Sequence, residues 1–490
     1  MKCPHRWHDR CFGTARLMTL YRARLVAPLL LGTILLTRAA TAQPTSPAPA
    51  PLDSPAAMPA MTIAEALAYA HEHQPAIRAG LSRVATRMAE AEIPSGQWLP
   101  KVSAAAEIFA MTANNTTGTY VAPDFLDVPR IGATPSTATG RLSPYASTFV
   151  GAGLLQELFD FGRIGAQRAA ADALVSVEKQ VAATARLDVD FSVEEAFFSV
   201  LAAKGIVRAA DEAYTRSLVH RDLAKRGADS GLRSPIDLTR AEADLARYDV
   251  GRVRARGGLA IAQNVLAASV GAPDRAIDTS DQPPQPSDMP ALRDALAMAE
   301  KRDPHLAAAI AQLKGTEERS RAIGAELRPD LSVTATVSGR AGGAAPSGAG
   351  PIPAGDGWLP RVPNWDAGLL LTWPLFDGVI AARRDAAAAE EQVRRDEIDV
   401  TRLLMVAQVR QTYEQVQVAR SAVVALQSAV IAARANWEQA DARFRAGIGN
   451  AVELADAEAI RTDAEIQLAL GEFDLERARA AFGRAIAEGL

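Results

Sequence analysis

Two stretches of this chain leave few folds open to it. From Gly162 to about Gly227, and from Gly378 to about Gly447, almost nothing interrupts a helix, with Gly205 the exception midway. Each covers some 65 to 70 residues, which at 1.5 Å per residue predicts a helix roughly 100 Å long, more than a compact domain needs. Along the second stretch apolar residues recur at steps of seven: Val409, Val416, Val423, Val430, Trp437 and Phe444. Ala419, Leu426, Ala433 and Ala440 fall between them. An average spacing of about 3.5 marks supercoiled packing on other helices, and the small residues permit close approach. In the first stretch Val193, Val200, Val207 and Tyr214 carry the same pattern until it fades at Arg221. The chain then turns at Gly231 or Gly447 and is expected to return as a shorter helix, with Leu468, Leu475 and Phe482 again at steps of seven.

The correspondence between the stretches extends along the chain. Ile63–Ile77 resembles Leu292–Leu306 at an offset of 229, which also puts Pro100, Val102 and Ser103 on Pro329, Leu331 and Ser332. Leu158-Phe159-Asp160 matches Leu375-Phe376-Asp377 at 217. From Gly162 and Gly378 onward the offset is 216, held through Val193 and Val409, Phe197 and Tyr413, and Gly231 and Gly447. An offset constant over this distance identifies a tandem duplication. The expected organisation is a signal peptide at 1–42, a Pro/Ala-rich linker at 43–60, a first repeat at 61–272, a connector at 273–290 and a second repeat at 291–490.

Inside each repeat the periodicity alternates between helix and strand. Ala64–Gly96 and Leu292–Leu327 read as helices interrupted near their starts, at Pro75 and Pro304. Leu331, Val333, Ala335 and Val337 then alternate with Ser332, Thr334, Thr336 and Ser338. Trp365, Ala367, Leu369, Leu371, Trp373 and Leu375 alternate with Asp366, Gly368, Leu370 and Thr372. Lys101–Met111 and Phe149–Gln156 are the less regular strand candidates of the first repeat. Between the two strands of each repeat, residues 112–145 and 339–364 have the turn-forming composition of exposed loops.

The amino end reads as an export signal. Arg22 and Arg24 precede the apolar run Leu25–Leu36, which is followed by Ala40-Thr41-Ala42. The run contains Pro28, stops at Arg38 and falls short of the about 20 residues a membrane span takes. Cleavage after Ala42 would remove Cys3 and Cys11, leaving no thiol for a disulfide, a metal site or amino-terminal lipidation. The formal net charge is -4; seven basic residues and one acidic residue precede Gln43, so the remainder holds 46 against 56, about -10. That balance lacks the electrostatic footprint of a nucleic-acid binder.

An exported chain without a helical span could still enter a membrane through strands with one apolar face, because a closed barrel satisfies every backbone group internally. Four strands cannot close one, since the smallest need about eight. Several copies would have to contribute. Three would supply about twelve strands and set the long hairpins side by side as a hollow cylinder of helices. A water-soluble periplasmic coiled coil with a small sheet fits the same patterns.

The ends of the repeat unit resemble the TolC-like outer membrane factors of Gram-negative export systems. The resemblance rests on Ile63–Ile77, on the turns Trp98-Leu99-Pro100-Lys101-Val102 and Leu327-Arg328-Pro329-Asp330-Leu331, and on the strand ends Leu154–Gly162 and Leu371–Gly378. The helical turns Arg443–Ala459 and Ala228–Leu245 complete it, and it spans about Met61 to Ile486. It implies a mixed α/β membrane protein: a homotrimer whose twelve-strand β-barrel meets outer membrane lipid and continues into a twelve-helix α-barrel across the periplasm. It also implies a periplasmic adaptor and a proton-driven or ATP-driven inner-membrane pump as partners, with the chain itself a passive exit duct. Small-molecule efflux is the expected service, and the outer membrane component of type I protein secretion is the alternative. A periplasmic coiled-coil adaptor or scaffold is the reading from another class.

No catalytic, cofactor-binding or metal-binding residue is expected. His71 and His73 lie two apart and diverge by about 200° on a helix. His220 and His305 are isolated, and all four histidines read as surface polarity. GxGxxG, Walker and HExxH motifs are absent from the sequence. Glu453 and Asp456 lie three apart on one helical face just after Gly447 and Gly449. Alone they are an ordinary acidic helix start. In the resembled family they fall on the paired acids that narrow the periplasmic entrance, where the first repeat has Asp237 and Arg240. Gly231, Leu238, Gly447 and Leu454 are expected at the hairpin tips, where the family docks its adaptor. Trp365, Leu369, Leu371 and Trp373 are expected on the membrane-facing strand surface.

Overall fold

A computed structural model describes residues 60–112, 144–275, 277–280, 289–342 and 364–489. The expected signal peptide, nearly all of the linker and most of both inter-strand loops lie outside the described residues. In chain order, α1 (Ile63–His73) and α2 (Pro75–Ala91) lead through a 3-10 turn (Pro94–Trp98) to β1 (Lys101–Thr112) and β2 (Pro144–Phe159), then to α3 (Arg163–Asp229) and α4 (Pro235–Ser269). The second repeat gives α5 (Leu292–Arg302), α6 (Pro304–Ala325), β3 (Asp330–Gly342), β4 (Asn364–Thr372), α7 (Gly378–Arg445) and α8 (Ala451–Ala485). The two long helices have 67 and 68 residues, as the breaker-free stretches predict.

Local chemistry sets the boundaries. Pro75 and Pro304 begin α2 and α6, at a position where the missing N–H has no partner to lose. Thr62 and Glu65 form a capping box on α1, each side chain accepting from the other's backbone N–H. The shared Leu-Phe-Asp triplets cap the long helices. Asp160 accepts from the Gly162 and Ile164 N–H groups, and Asp377 from those of Val379 and Ile380. The change of offset from 217 to 216 is a single inserted residue, Phe161, between Asp160 and Gly162. It holds a left-handed backbone at φ 51°, a conformation that a residue with a Cβ seldom adopts.

The packing repeats as the sequence does. Ala66 and Ala70 of α1 join Val193, Phe197 and Val200 of α3 and Leu266 of α4 in one core. Ala295 and Ala299 of α5 join Val409 and Val416 of α7 and Phe482 of α8 in the other. The heptad positions are the buried ones, with Val409, Val416, Val423, Val430 and Phe444 at 8% exposure or less. α3 packs against α2, α4, α6 and α8, and α7 against α5, α6 and α8. Small residues set the spacing: a Cβ on Gly205 of α3 would stand 3.0 Å from the Cβ of Ala469 in α8. The first core runs past residue 272. Ile277 and Thr279 are 1% exposed, and Ser280 N–H donates to the Met61 carbonyl. The opening residues of the expected connector therefore finish the core of the first repeat.

The four strands form one antiparallel sheet in the order β1-β2-β3-β4, leaving β1 and β4 as edges. Register sorts the side chains by face. Val102, Leu154, Ala335 and Ala367 are cross-strand neighbours on one side, followed there by Ala104, Ala152, Val337 and Trp365. Ser103, Gly153, Thr336 and Asp366 occupy the other, where the Thr336 hydroxyl donates to Asp366. The apolar face is open to solvent in the single chain, with Val102, Ile108, Trp365, Leu369 and Leu371 all exposed. β2 begins at Pro144, earlier than its weak alternation suggests. β4 ends at Thr372, earlier than expected, because Pro374 cannot donate to a ladder. Trp373 thus lies just beyond the strand, although still exposed.

Apolar surface is also left uncovered on the helices. Val250, Val253, Ile261 and Val265 of α4 are exposed, as are Val418, Val424 and Ile431 of α7. One window of α7 is apolar enough to cross a membrane by length and composition, yet only 22% of it is buried. His71 and His73 make specific contacts: His71 Nε2 lies 2.5 Å from Asp190 Oδ1 on α3, and the exposed His73 ring stacks on Tyr69 at 3.9 Å.

Candidate functional site

Both hairpin tips are built from the same hydrogen bonds. After α3, Gly231 takes φ 71°, and the Leu232 and Arg233 N–H groups donate to the Gly227 carbonyl at 2.9 and 3.0 Å. After α7, Gly447 takes φ 76°, and the Ile448 and Gly449 N–H groups donate to the Arg443 carbonyl at 3.2 and 2.9 Å. Glycine adopts this left-handed turn without the penalty of a Cβ. Side-chain volume is exchanged between the copies. The first has Gly227 where the second has Arg443, and Arg233 where the second has Gly449. A Cβ on Gly227 would lie 2.7 Å from Arg233 Cδ, and one on Gly449 2.7 Å from the Phe444 nitrogen. At this pair of positions each tip holds one arginine and one glycine.

Glu453 and Asp456 are both exposed on the opening turns of α8. Glu453 pairs with Arg443 at 3.3 Å, an exposed contact of small energetic weight. Asp237 and Arg240, their counterparts, line a cavity of about 40 Å³ behind the tips instead. Leu454 is 4% exposed and packs with Ala440, Phe444 and Ala457, while Leu238 is half-buried. Apolar surface at the tips is presented by Leu232, Ile236, Ile448 and Val452, which are 84, 65, 74 and 47% exposed. Reading the sequence by heptads passes over these four because they stand outside the packed seam.

Behind the tips lies a buried polar core. Arg233 reaches from the first tip to the second, its guanidinium 3.6 Å from the Phe444 ring centroid and donating to the Phe444 carbonyl at 2.6 Å. It thereby satisfies a helix-terminal acceptor and adds a cation–π contact. Arg216 of α3 donates to both carboxylate oxygens of Glu458 on α8, at 2.8 and 3.1 Å. Glu465 accepts from Arg434 and Arg461 at 3.0 and 3.2 Å, and Trp437 lies within cation–π reach of Arg216 and Arg461. Removing one partner of such a buried pair leaves an uncompensated charge. His220 stands 6.3 Å from both the Trp437 and Phe444 rings and 3.9 Å from Asp441, with both ring nitrogens buried and, among the described residues, without a hydrogen-bond partner. It is half-buried with its polar atoms enclosed, where the sequence reads as a polar surface, because its neighbours lie more than 200 positions away. Burial pushes its pKa down, against the opposing pull of Asp441 and Glu458, while Arg445 and Arg216 add to the downward shift. Among the described residues no cluster of three or more His, Cys, Asp or Glu side chains could hold a metal.

Comparison with known proteins gives this geometry a context. The family model described as outer membrane efflux protein matches residues 66–272 and 295–488, one match to each repeat. Protein CyaE of Bordetella pertussis (strain Tohama I) is 27% identical over 425 residues, which cover 84% of this chain and 80% of that protein. The outer-membrane channel OprN, 20% identical, superposes with a TM-score of 0.65 over 87% of this chain and 90% of its own. The outer membrane protein VceC from Vibrio cholerae, 16% identical, gives 0.67 over 87% and 96%. At such identities the structures speak for the fold, that of a channel with a helical barrel and a β domain.

The His220 environment has a measurable consequence. Burial disfavours the charged imidazole in the folded chain, whereas an unfolded one takes up a proton near about 6.5. The unfolded state then binds more protons, so stability falls as pH drops below about 6.5. Hydrogen-exchange protection at the hairpin tips should decline between about pH 7.5 and 5.5 in the parent chain, and His220→Phe should abolish that decline. A decline that persists in the variant would assign the titration to another group.

Proposed function

The chain belongs to the outer membrane efflux protein family, and from that premise we propose that it forms the exit duct of a tripartite export system. It is a passive channel component rather than an enzyme, and it resides in the outer membrane with a periplasmic extension. The observation that carries the proposal is the open sheet, with one apolar face and two unpaired edges. Three copies pairing β4 of one with β1 of the next would close about twelve strands and leave no edge. The long helices would continue below as a cylinder of about twelve, with the uncovered apolar side of α7 meeting that of α4 in the neighbouring copy. Trp365, Leu369 and Leu371 would face lipid, and Trp373, beyond the strand end, would lie at the membrane boundary. In this reading the mature chain starts at Gln43, after a signal peptide of residues 1–42.

At the periplasmic end, Glu453 and Asp456 from three copies would gather six carboxylates round the axis, a ring that favours cations. The Arg443 contact offsets part of that charge. Gly231 and Gly447 shape the tips, and the exposed Leu232, Ile236, Ile448 and Val452 offer the apolar contact for an adaptor. Leu238 and Leu454 support that surface from behind. The adaptor in turn would join the duct to a proton-driven or ATP-driven inner-membrane pump. The pump selects the cargo, which we assign to small molecules such as drugs.

Mass measurement of the detergent-solubilised complex should return three chains, and a folded monomer or dimer would overturn the closed barrel. Glu453→Ala with Asp456→Ala should leave assembly intact, raise single-channel conductance and weaken block by multivalent cations. Unchanged block would put the constriction elsewhere. Deleting the gene should raise susceptibility to apolar drugs and dyes with the secreted proteins unchanged. Loss of one extracellular protein at unaltered drug tolerance would reassign the duct to type I secretion.

A further inference from the structure

We propose that the cleft beneath the β2–α3 turn binds the phosphate of an anionic glycerophospholipid through Arg328 and Arg384. The inference rests on the reading of the sheet as membrane-inserted. The apolar face of the sheet ends at Phe159, Leu331 and Leu371. Phe161, its ring packed edge-on against Phe159 at 4.6 Å, carries that side beyond the last strand residue. Next to Phe161 opens a cleft of about 750 Å³, bounded by the start of α3, by α6 and by the start of α7. Its walls are cut back at Gly165 and Gly324, where an added Cβ would meet nothing within 4 Å.

With Arg395 at its edge, the cleft holds four arginines against three carboxylates, a formal surplus of one positive charge. Two of those arginines serve the three acids: Glu318 pairs with Arg321 at 2.6 Å, and Glu317 and Glu391 share Arg395 at 3.5 and 3.1 Å. Arg328 and Arg384 form no ion pair with a carboxylate among the described residues. Arg328 donates instead to the Phe161 carbonyl at 3.3 Å, which holds its guanidinium at the turn. Two planar, permanently charged donor forks suit a phosphate better than a point cation would. They stand at the margin of the apolar face, where an acyl chain could continue over Phe161 and Phe159 while the headgroup entered the cleft.

The cleft would survive assembly. α6 lies between α3 and α7 of one chain, so further copies joining at the β1 and β4 edges leave it uncovered. Each chain would hold one such site, because the second repeat passes directly from Asp377 to Gly378 and has no residue equivalent to Phe161.

The test reconstitutes the full chain in phosphatidylcholine vesicles and compares protein-associated spin-labelled phosphatidylglycerol with spin-labelled phosphatidylcholine. The parent should prefer phosphatidylglycerol by roughly five-fold per arginine engaged. R328Q combined with R384Q should bring the ratio near one. G165L should do the same, filling the cleft while leaving both arginines in place. A parent ratio near one, or a preference that survives both variants, would overturn the site. A chain that stays in the soluble fraction and never incorporates would instead overturn the membrane-inserted sheet, and that result is read before any lipid ratio.

Discussion

Two repeats become one body through a seam along α3, where small residues let helices of the second repeat approach a helix of the first. Near the sheet, a Cβ added to Gly315 of α6 would stand 3.4 Å from the Cβ of Ala173; further down, Gly205 meets Ala469 of α8. Dispersion at that spacing is lost quickly when a gap of even about 1 Å opens. The pairing of β2 with β3 above and the Arg216–Glu458 contact below both span this seam. Neither could form if α3 stood a side chain further away.

Duplication has kept the backbone and let the chemistry diverge. The tip turns repeat down to which carbonyl accepts two N–H groups, and Leu266 and Val270 of the first core return as Phe482 and Ile486 of the second. Yet arginine and glycine have traded places at the tips, and only the second repeat presents an exposed pair of acids. Arg233 and Arg216 both run from the first repeat to the second, so neither has an equivalent partner at the duplicated position. The halves are alike where packing periodicity decides and different where they touch one another.

Much of this was legible in the sequence. A period of seven over the long stretches places Val409 to Phe444 in the core, and a period of two places Trp365, Leu369 and Leu371 on one face, because both periods follow from backbone geometry alone. The constant offset of 216 carries the turn at Gly231 onto Gly447. What escaped depends on partners remote in the chain. A leucine at a hairpin tip looks the same whether it points inward like Leu454 or outward like Leu232. His220 reads as isolated until α7 brings Trp437, Asp441 and Phe444 around it. Ile277 and Thr279 look like linker because the core they complete was begun about 200 residues earlier, at Met61 and Ala66.

The left-handed turn at Phe161 bears on how an insertion can be tolerated. One residue added inside a helix advances everything after it by about 100° and 1.5 Å, enough to swing a heptad stripe off its neighbours. At Phe161 the extra residue is taken up before the first helical hydrogen bond: Gly162 caps α3, and its counterpart Gly378 is the first residue of α7. Val193 and Val409 consequently enter their cores in the same phase. The turn works as a phase buffer: length variation stops at the sheet end of the helix and never reaches the registers that build the two helical cores.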